Sequence, residues 1–210
     1  MRQNGAPFSK IIQFDNQDYY FKQNNQLFTL EIYVTGIEER EFTKANCMSL
    51  AKLCGKLHRI SEDINFQFGY DGAWSVDFEK NYCDDEISEK EQYFIEMINC
   101  LKECYYDEVL LNKVTDLFEK KMKELKNDLK SLPKGPTQGD LGLDNVRFNE
   151  QHEAIAVFDY NIAGDEVYVG EFVNQIAWYQ EFIKEYVDLK SLMLASYESE
   201  RILTYEYKSR

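Results

Sequence analysis

Residues 137–160 read TQGDLGLDNVRFNEQHEAIAVFDY. The Gly139-Asp140 pair is a turn signal. Asn145 to Phe148 and Ala154 to Phe158 read as strands, joined by the polar turn NEQHE, so the spacing predicts a small antiparallel hairpin. Asp140 stands at the entry to this unit, Asn145 at the start of its first strand, and Asp159 just past the end of its second. The hairpin therefore gathers two carboxylates and one amide on one side of a short loop.

That set suits phosphoryl transfer. The reaction asks little covalent chemistry of a protein: an acceptor hydroxyl must be oriented, and a divalent cation must neutralise charge on the phosphate oxygens. Asp140 is placed to accept the hydroxyl proton. The side-chain oxygen of Asn145 and the carboxylate of Asp159 are hard donors that fit Mg²⁺, an ion that keeps few protein ligands and fills its shell with phosphate and water.

Upstream, Pro133, Gly135 and Pro136 stop a helix expected over about residues 106–130, whose stripe is Val109, Leu110, Val114, Leu117, Met122 and Leu125. Another helix is expected over 88–104, and 62–87 has no clean period and reads as a long loop. From about Thr43, the residues Met48, Ala51, Leu53, Cys54 and Leu57 recur at helical spacing, ending near His58. Before that, Lys10 to Phe14, Asp18 to Gln23 and Gln26 to Val34 alternate as three short antiparallel strands. Beyond the hairpin, helices are expected from about Glu171 to Lys190 and on to about Tyr205. Strands first and helices after make an α+β chain, partitioned as residues 1–34, a connection at 35–42, and a helical unit over 43–210.

Composition narrows the function. With a net charge of −14, the chain is a poor binder of phosphate backbones, which demand Lys and Arg, so nucleic acid is not an expected partner. Residues 62–91 hold ten Asp or Glu against two Lys; the plain reading is a solvated acidic face, and the alternative is steering of a cationic substrate. No apolar run nears the roughly 18 residues of a membrane span, and the start MRQNGAPFSK is no secretory signal, so the expected location is cytoplasmic and off the membrane. Five cysteines without a CxxC pair read as buried free thiols. His58 reads as structural, contacting backbone near the Asp140 loop, and His152 as exposed in the hairpin turn.

QGDLGLDN followed by AVFDY resembles the HGDxxxxN and IDF pair of the aminoglycoside phosphotransferases and choline or homoserine kinases, a protein kinase-like superfamily. Upstream, LEIYVTG at residues 30–36 resembles that family's hinge, and LAKLCGKLHRIS at 50–61 its first large-lobe helix. The resemblance spans roughly residues 7–180. It implies a helical large lobe with a catalytic hairpin after a partial nucleotide lobe, ATP and Mg²⁺ as cofactors, and a small-molecule hydroxyl acceptor. It assigns Asp140 as base, Asn145 and Asp159 as magnesium ligands, and the backbone carbonyl of Ile32 and N–H of Val34 to the adenine edge.

The chain departs from that pattern in definite places. Gln138 stands where the family has His. There is no Gly-rich phosphate loop and no strand-borne Lys followed by a helix-borne Glu, so much of the nucleotide lobe is expected to be missing; Lys10 and Lys22 read as ordinary exposed strand residues. Glu31 precedes the hinge pair where an apolar residue is usual, and a carboxylate buried there would need a partner. GDEVYVGE replaces the family's GDPxxD, leaving Asp165 or Glu171 to fill its hydrogen-bonding role. Three readings stay open: a small-molecule kinase, a degenerate kinase-like protein that binds without turnover, and an unrelated all-helical interaction module, which would make the Asp140–Asp159 segment a coincidence.

Overall fold

The structure, a computed structural model, describes residues 2–15, 17–70, 89–104, 107–129, 131–182 and 188–203. Its centre is helix α1, Lys44–Asp63. Thr43 caps it: its Oγ1 accepts from the Asn46 N–H at 3.2 Å, and the Asn46 side chain accepts from the Thr43 N–H at 2.8 Å, satisfying donors that a helix start leaves open. The helix runs beyond the stop expected near His58 because its buried stripe continues through Ile60 and Ser61. Apolar spacing alone had marked the stop at a histidine that turns out to lie inside the stripe.

Helices α4, Tyr168–Phe182, and α5, Leu189–Glu198, cover the same face of α1. The approach of α5 is close at Gly55, where a Cβ would sit 2.5 Å from the carbonyl oxygen of Tyr197. Leu50, Leu57, Phe172, Met193 and Tyr197 fill the seam with less than about a twentieth of their surface exposed, each fully buried side chain of this size contributing about 1.5–3 kcal/mol.

The expected hairpin is present. Strands β4, Val146–Phe148, and β5, Ala154–Val157, pair antiparallel, Val146 opposite Val157. The N-terminal segment joins the β5 edge, with Phe8 beside Val157, and Ile37 pairs with Phe148 on the β4 side. The residues leading into α1 are thereby tied to the hairpin.

A second antiparallel pair was not legible in the sequence: β3, Lys134–Thr137, with β6, Gly164–Val167. Gly135 and Pro136 read as pure breakers, yet a two-stranded ribbon tolerates proline. Gly135 is required by contact, since a Cβ there would lie 2.0 Å from the Tyr168 hydroxyl. This ribbon delivers the chain into the loop at Asp140.

Helices α2, Glu89–Cys104, and α3, Glu108–Leu129, occupy the expected ranges. The expected α3 stripe is corrected: Val109, Leu110, Val114 and Leu117 are exposed, whereas Leu111 is buried and Phe118 stacks on Phe94 at 3.6 Å, and the side chains of Met122 and Leu125 lie outside what is described. Cys100 is exposed, unlike Cys47 and Cys54, because its face of α2 looks outward. The long loop expected over 62–87 is described only to Tyr70, so most of it, and most of the acidic 62–91 stretch, lies outside the described residues.

At the front, β1, Phe21–Gln23, and β2, Gln26–Phe28, form a hairpin with Asn24 and Asn25 at φ of 50° and 61°, the left-handed pair that a two-residue turn demands. The first expected strand is reduced to one bridge, Ile11 with Glu31. All three strands are shorter than the alternation suggested. Every side chain of β1 and β2 is exposed, and strands without a packed face are marginal. No helix among the described residues is long and apolar enough to cross a membrane.

Candidate functional site

Strand β3 ends at Thr137, and the next side chain, Gln138, turns inward and is buried. Its Oε1 accepts from the Asp140 N–H at 2.8 Å and its Nε2 donates to the Asp159 carbonyl at 2.6 Å. One amide therefore clamps the loop that carries Asp140 to the segment that carries Asp159. A glutamine does this at any pH, because neither its donor nor its acceptor titrates.

Between them, Gly139 takes a φ of 87°, a backbone state that glycine reaches without penalty. The turn points its N–H at Glu171 Oε1, 2.7 Å away. Asp140 follows at the surface. Its carbonyl accepts from the Gly142 N–H and from Asn145 Nδ2, each at 2.8 Å, and the same Nδ2 lies 3.0 Å from Asp140 Oδ2. A 3-10 turn over Leu143–Asn145 sets Asn145 in place, with Leu141 and Leu143 buried beneath it and the Tyr179 hydroxyl donating to the Leu141 carbonyl at 2.8 Å.

Asp159 reaches the same place from the other strand. The Phe158 N–H donates to the Asn145 carbonyl at 3.1 Å, and Asp159 itself has a φ of 59°, turning the chain sharply after β5. Partial burial raises the Asp140 carboxyl above the ordinary aspartate value; the Asn145 hydrogen bond opposes this, and the neighbouring charges of Asp159 and Asp144 add to it. Neighbouring negative charges that push the Asp140 carboxyl up mark a place where a cation is favoured. Asn145 spends its amide nitrogen on Asp140, so the donor it keeps for a cation is its Oδ1, and the Asp159 carboxylate is exposed. Two hard oxygen donors of this kind fit Mg²⁺.

Behind the loop runs a buried chain of side chains. Glu171 Oε2 lies 2.7 Å from His58 Nε2, His58 Nδ1 lies 2.8 Å from the Tyr197 hydroxyl, and Arg201 donates to Tyr197 at 3.0 Å. Arg201 is fastened in turn to Glu62 by two bonds of 2.9 and 2.7 Å. Cys54 closes the cluster, its thiol pushed well up by burial and by Glu171. Its sulfur and the ligand atoms of His58 and Glu171 all lie within 4.8 Å of one another, but these groups are already hydrogen-bonded among themselves. The expectation for His58 is refined: its partners are side chains, and Glu171 makes the contact with the loop backbone.

Of the two acids considered for that role, Asp165 is occupied elsewhere, accepting from the N–H groups of Phe68 and Gly69 at 2.9 and 2.7 Å. The sequence pointed to Glu171 only through the resemblance, as one of those two acids, because its connection to Gly139 runs through β6 and the start of α4. At the front, Ile32 donates its N–H to the Lys10 carbonyl at 2.8 Å, so its backbone groups face the N-terminal segment, and Val34 is half-buried two residues on. Glu31 is exposed rather than buried, and the Ser9 hydroxyl donates to it. Lys10 and Lys22 are exposed. His152 is exposed and lies 2.6 Å from Glu39.

A solved aminoglycoside phosphotransferase from Alicyclobacillus acidocaldarius subsp. acidocaldarius DSM 446 superposes with a TM-score of 0.62 at 13% identity, over 95% of this chain and 61% of that one. The fold is that of the aminoglycoside phosphotransferases. A Ralstonia eutropha JMP134 protein assigned to the same group superposes with a TM-score of 0.52 at 14% identity, over 97% of this chain and 63% of that one. The chain thus spans about three-fifths of the length of these neighbours. No protein-family model matches the sequence, and no curated protein does.

Proposed function

We propose that the chain carries the catalytic lobe of an ATP-dependent phosphotransferase that moves the γ-phosphoryl group to a hydroxyl of a small molecule. The observation that carries this is the Gln138 clamp, which holds Asp140, its hydrogen-bonded Asn145 and the Asp159 segment in one place. In the reaction, the acceptor hydroxyl oxygen bonds to the γ-phosphorus while the bond from phosphorus to the β–γ bridging oxygen breaks. ADP leaves with that electron pair, and the hydroxyl proton passes to the Asp140 carboxylate.

Asn145 and Asp159 would hold Mg²⁺, which neutralises phosphate charge when bound. Asp140, Asp144 and Asp159 make the mouth acidic, and a cationic acceptor such as an amino alcohol or amino sugar fits that potential. The resemblance gives the adenine edge to Ile32 and Val34. The Ile32 N–H is spent on the Lys10 carbonyl, a bond that uses neither the Ile32 carbonyl nor the Val34 N–H given to the base.

A second reading rests on the front of the chain: the side chains of β1 and β2 are exposed, and the sequence offers no Gly-rich loop to cover phosphates. In that reading the clamp survives but the chain only binds. Calorimetry separates them from an unrelated function. ATP and Mg²⁺ together should give heat that neither gives alone, and Asp159→Asn should reduce the affinity at least tenfold; no heat in any combination overturns both nucleotide readings. Turnover of a hydroxyl acceptor, lost in Asp140→Ala, then decides for the kinase.

A further inference from the structure

Tyr197 lies on α5, far along the chain from the Asp140 loop, and its side chain is fully buried. Two groups reach its hydroxyl: Arg201 Nη1 at 3.0 Å and His58 Nδ1 at 2.8 Å. A guanidinium can only donate, so the Tyr197 oxygen accepts from Arg201 and its own proton is left for His58. No other acceptor for that proton lies within reach among the described residues. Nδ1 then carries no hydrogen, which puts the ring proton on Nε2. Nε2 stands 2.7 Å from Glu171 Oε2 and donates to it. Hydrogen-bond direction thus runs one way, from Arg201 through Tyr197 and His58 to Glu171.

The far end of this chain is the loop. Glu171 Oε2 receives His58 and the Cys54 thiol, the latter at 3.8 Å, and its Oε1 receives the Gly139 N–H at 2.7 Å. With the ring proton on Nδ1 instead, a lone pair on Nε2 would face a carboxylate oxygen, and Glu171 would have to turn away or take up a proton. Either change weakens the acceptor that Gly139 uses. The near end is fixed as firmly: Arg201 is buried, makes two bonds to Glu62 and lies over the Tyr168 ring at 5.0 Å.

We propose that Tyr197 is a positioning residue for the Asp140 loop: its hydroxyl, directed by Arg201, keeps the His58 proton on Nε2 and so keeps Glu171 on the Gly139 N–H. Helix α5 thereby sets the turn that precedes Asp140 without touching it. The order of the bonds stands whatever Asp140 does; only its effect on turnover rests on the phosphotransfer reading.

Nitrogen NMR of the full chain, with its histidines labelled, reads that order. Near neutral pH, His58 Nδ1 should resonate as an unprotonated imidazole nitrogen and Nε2 as a protonated one. The reverse pattern, or two protonated nitrogens, overturns the proposal, and this measurement decides even where a variant fails to fold. Tyr197→Phe leaves Nδ1 unpaired in the interior and the ring without its second anchor, so exchange of the Gly139 amide should quicken at least tenfold. Tyr168→Phe is the control. It deletes another buried tyrosine hydroxyl beside the same imidazole, one that bonds Ser61 at 3.0 Å and lies outside the chain, and should change Gly139 exchange less than twofold.

Equal exchange in the two variants overturns the proposal, because a general loss of packing would then account for it. In a parent that turns over a hydroxyl acceptor, Tyr197→Phe should also lower kcat at least tenfold with the KM for ATP within twofold; an unchanged kcat overturns the positioning role. A parent without turnover counts against the kinase reading, and the ring and exchange signals then decide this one by themselves.

Discussion

Around Gly139, groups from α1, β3, β5 and α4 meet on a loop whose backbone is held by Gln138 and Glu171, both buried. Around β2, by contrast, a strand of similar length buries none of its side chains. The local chemistry is comparable in both places: a tight turn, left-handed residues, a few backbone hydrogen bonds. What differs is burial, which raises the cost of an unmade hydrogen bond and so turns a polar contact into a constraint. The loop region fixes geometry, and the front region leaves it to be completed.

The contrast breaks most visibly at Glu171. Glu171→Ala strands both the Gly139 N–H and His58 in the interior, and is expected to cost about 3–5 kcal/mol in urea unfolding. Phe28→Ala in β2 should cost less than about 1 kcal/mol. Similar losses at the two positions would show that the regions are not distinct.

Gly55→Ala comes next, because a methyl facing the Tyr197 carbonyl at 2.5 Å forces α1 and α5 apart. A loss of about 1–3 kcal/mol is expected; an unchanged melting temperature would mean that the helices separate freely. Gln138→Ala should lower stability by about 1–2 kcal/mol and speed exchange of the Asp140 amide at least tenfold, since its acceptor is gone. Unchanged exchange would locate the clamp elsewhere.

The smallest effect is pH-dependent. The Asp140 carboxyl is raised in the folded chain, so the folded state binds its proton more tightly than the unfolded state does. As pH rises from the ordinary aspartate value through the raised one, folding loses stability, and above that window the full cost remains. Asp140→Asn should remove this component, giving a stability difference from the parent that grows across the window and is flat above it. A difference that shrinks as pH rises would reverse the sign of the shift.

Several of these features were legible beforehand, and the reasons are local. The hairpin from Asn145 to Asp159 announced itself through alternation and a polar turn, and α1 through its 3.6-residue stripe. The β3–β6 ribbon hid because its pairing joins Lys134 to Val167, a non-local register that no short window reveals, and because Gly135 and Pro136 resemble breakers. Asp140, Asn145 and Asp159 were visible as residue types at a meaningful spacing. Glu171 was visible only through the resemblance, as one of two acids, and the clamp function of Gln138 was not visible, since each acts on a backbone group brought close only by the packing of α4 and β5. The front strands were overextended for the converse reason: alternation registers pleating and says nothing of whether a second layer exists to bury it.

The site rests on one spatial statement, that Asp140, Asn145 and Asp159 surround a common position beside the clamp. Paramagnetic broadening by Mn²⁺ with ATP tests it directly, because Mn²⁺ takes the same oxygen donors as Mg²⁺. The amide and side-chain signals of Asn145 and Asp159 should vanish first, Asp140 with them, while those of β1 and α5 persist. Broadening spread over the acidic surface, with those three signals surviving, would contradict the account.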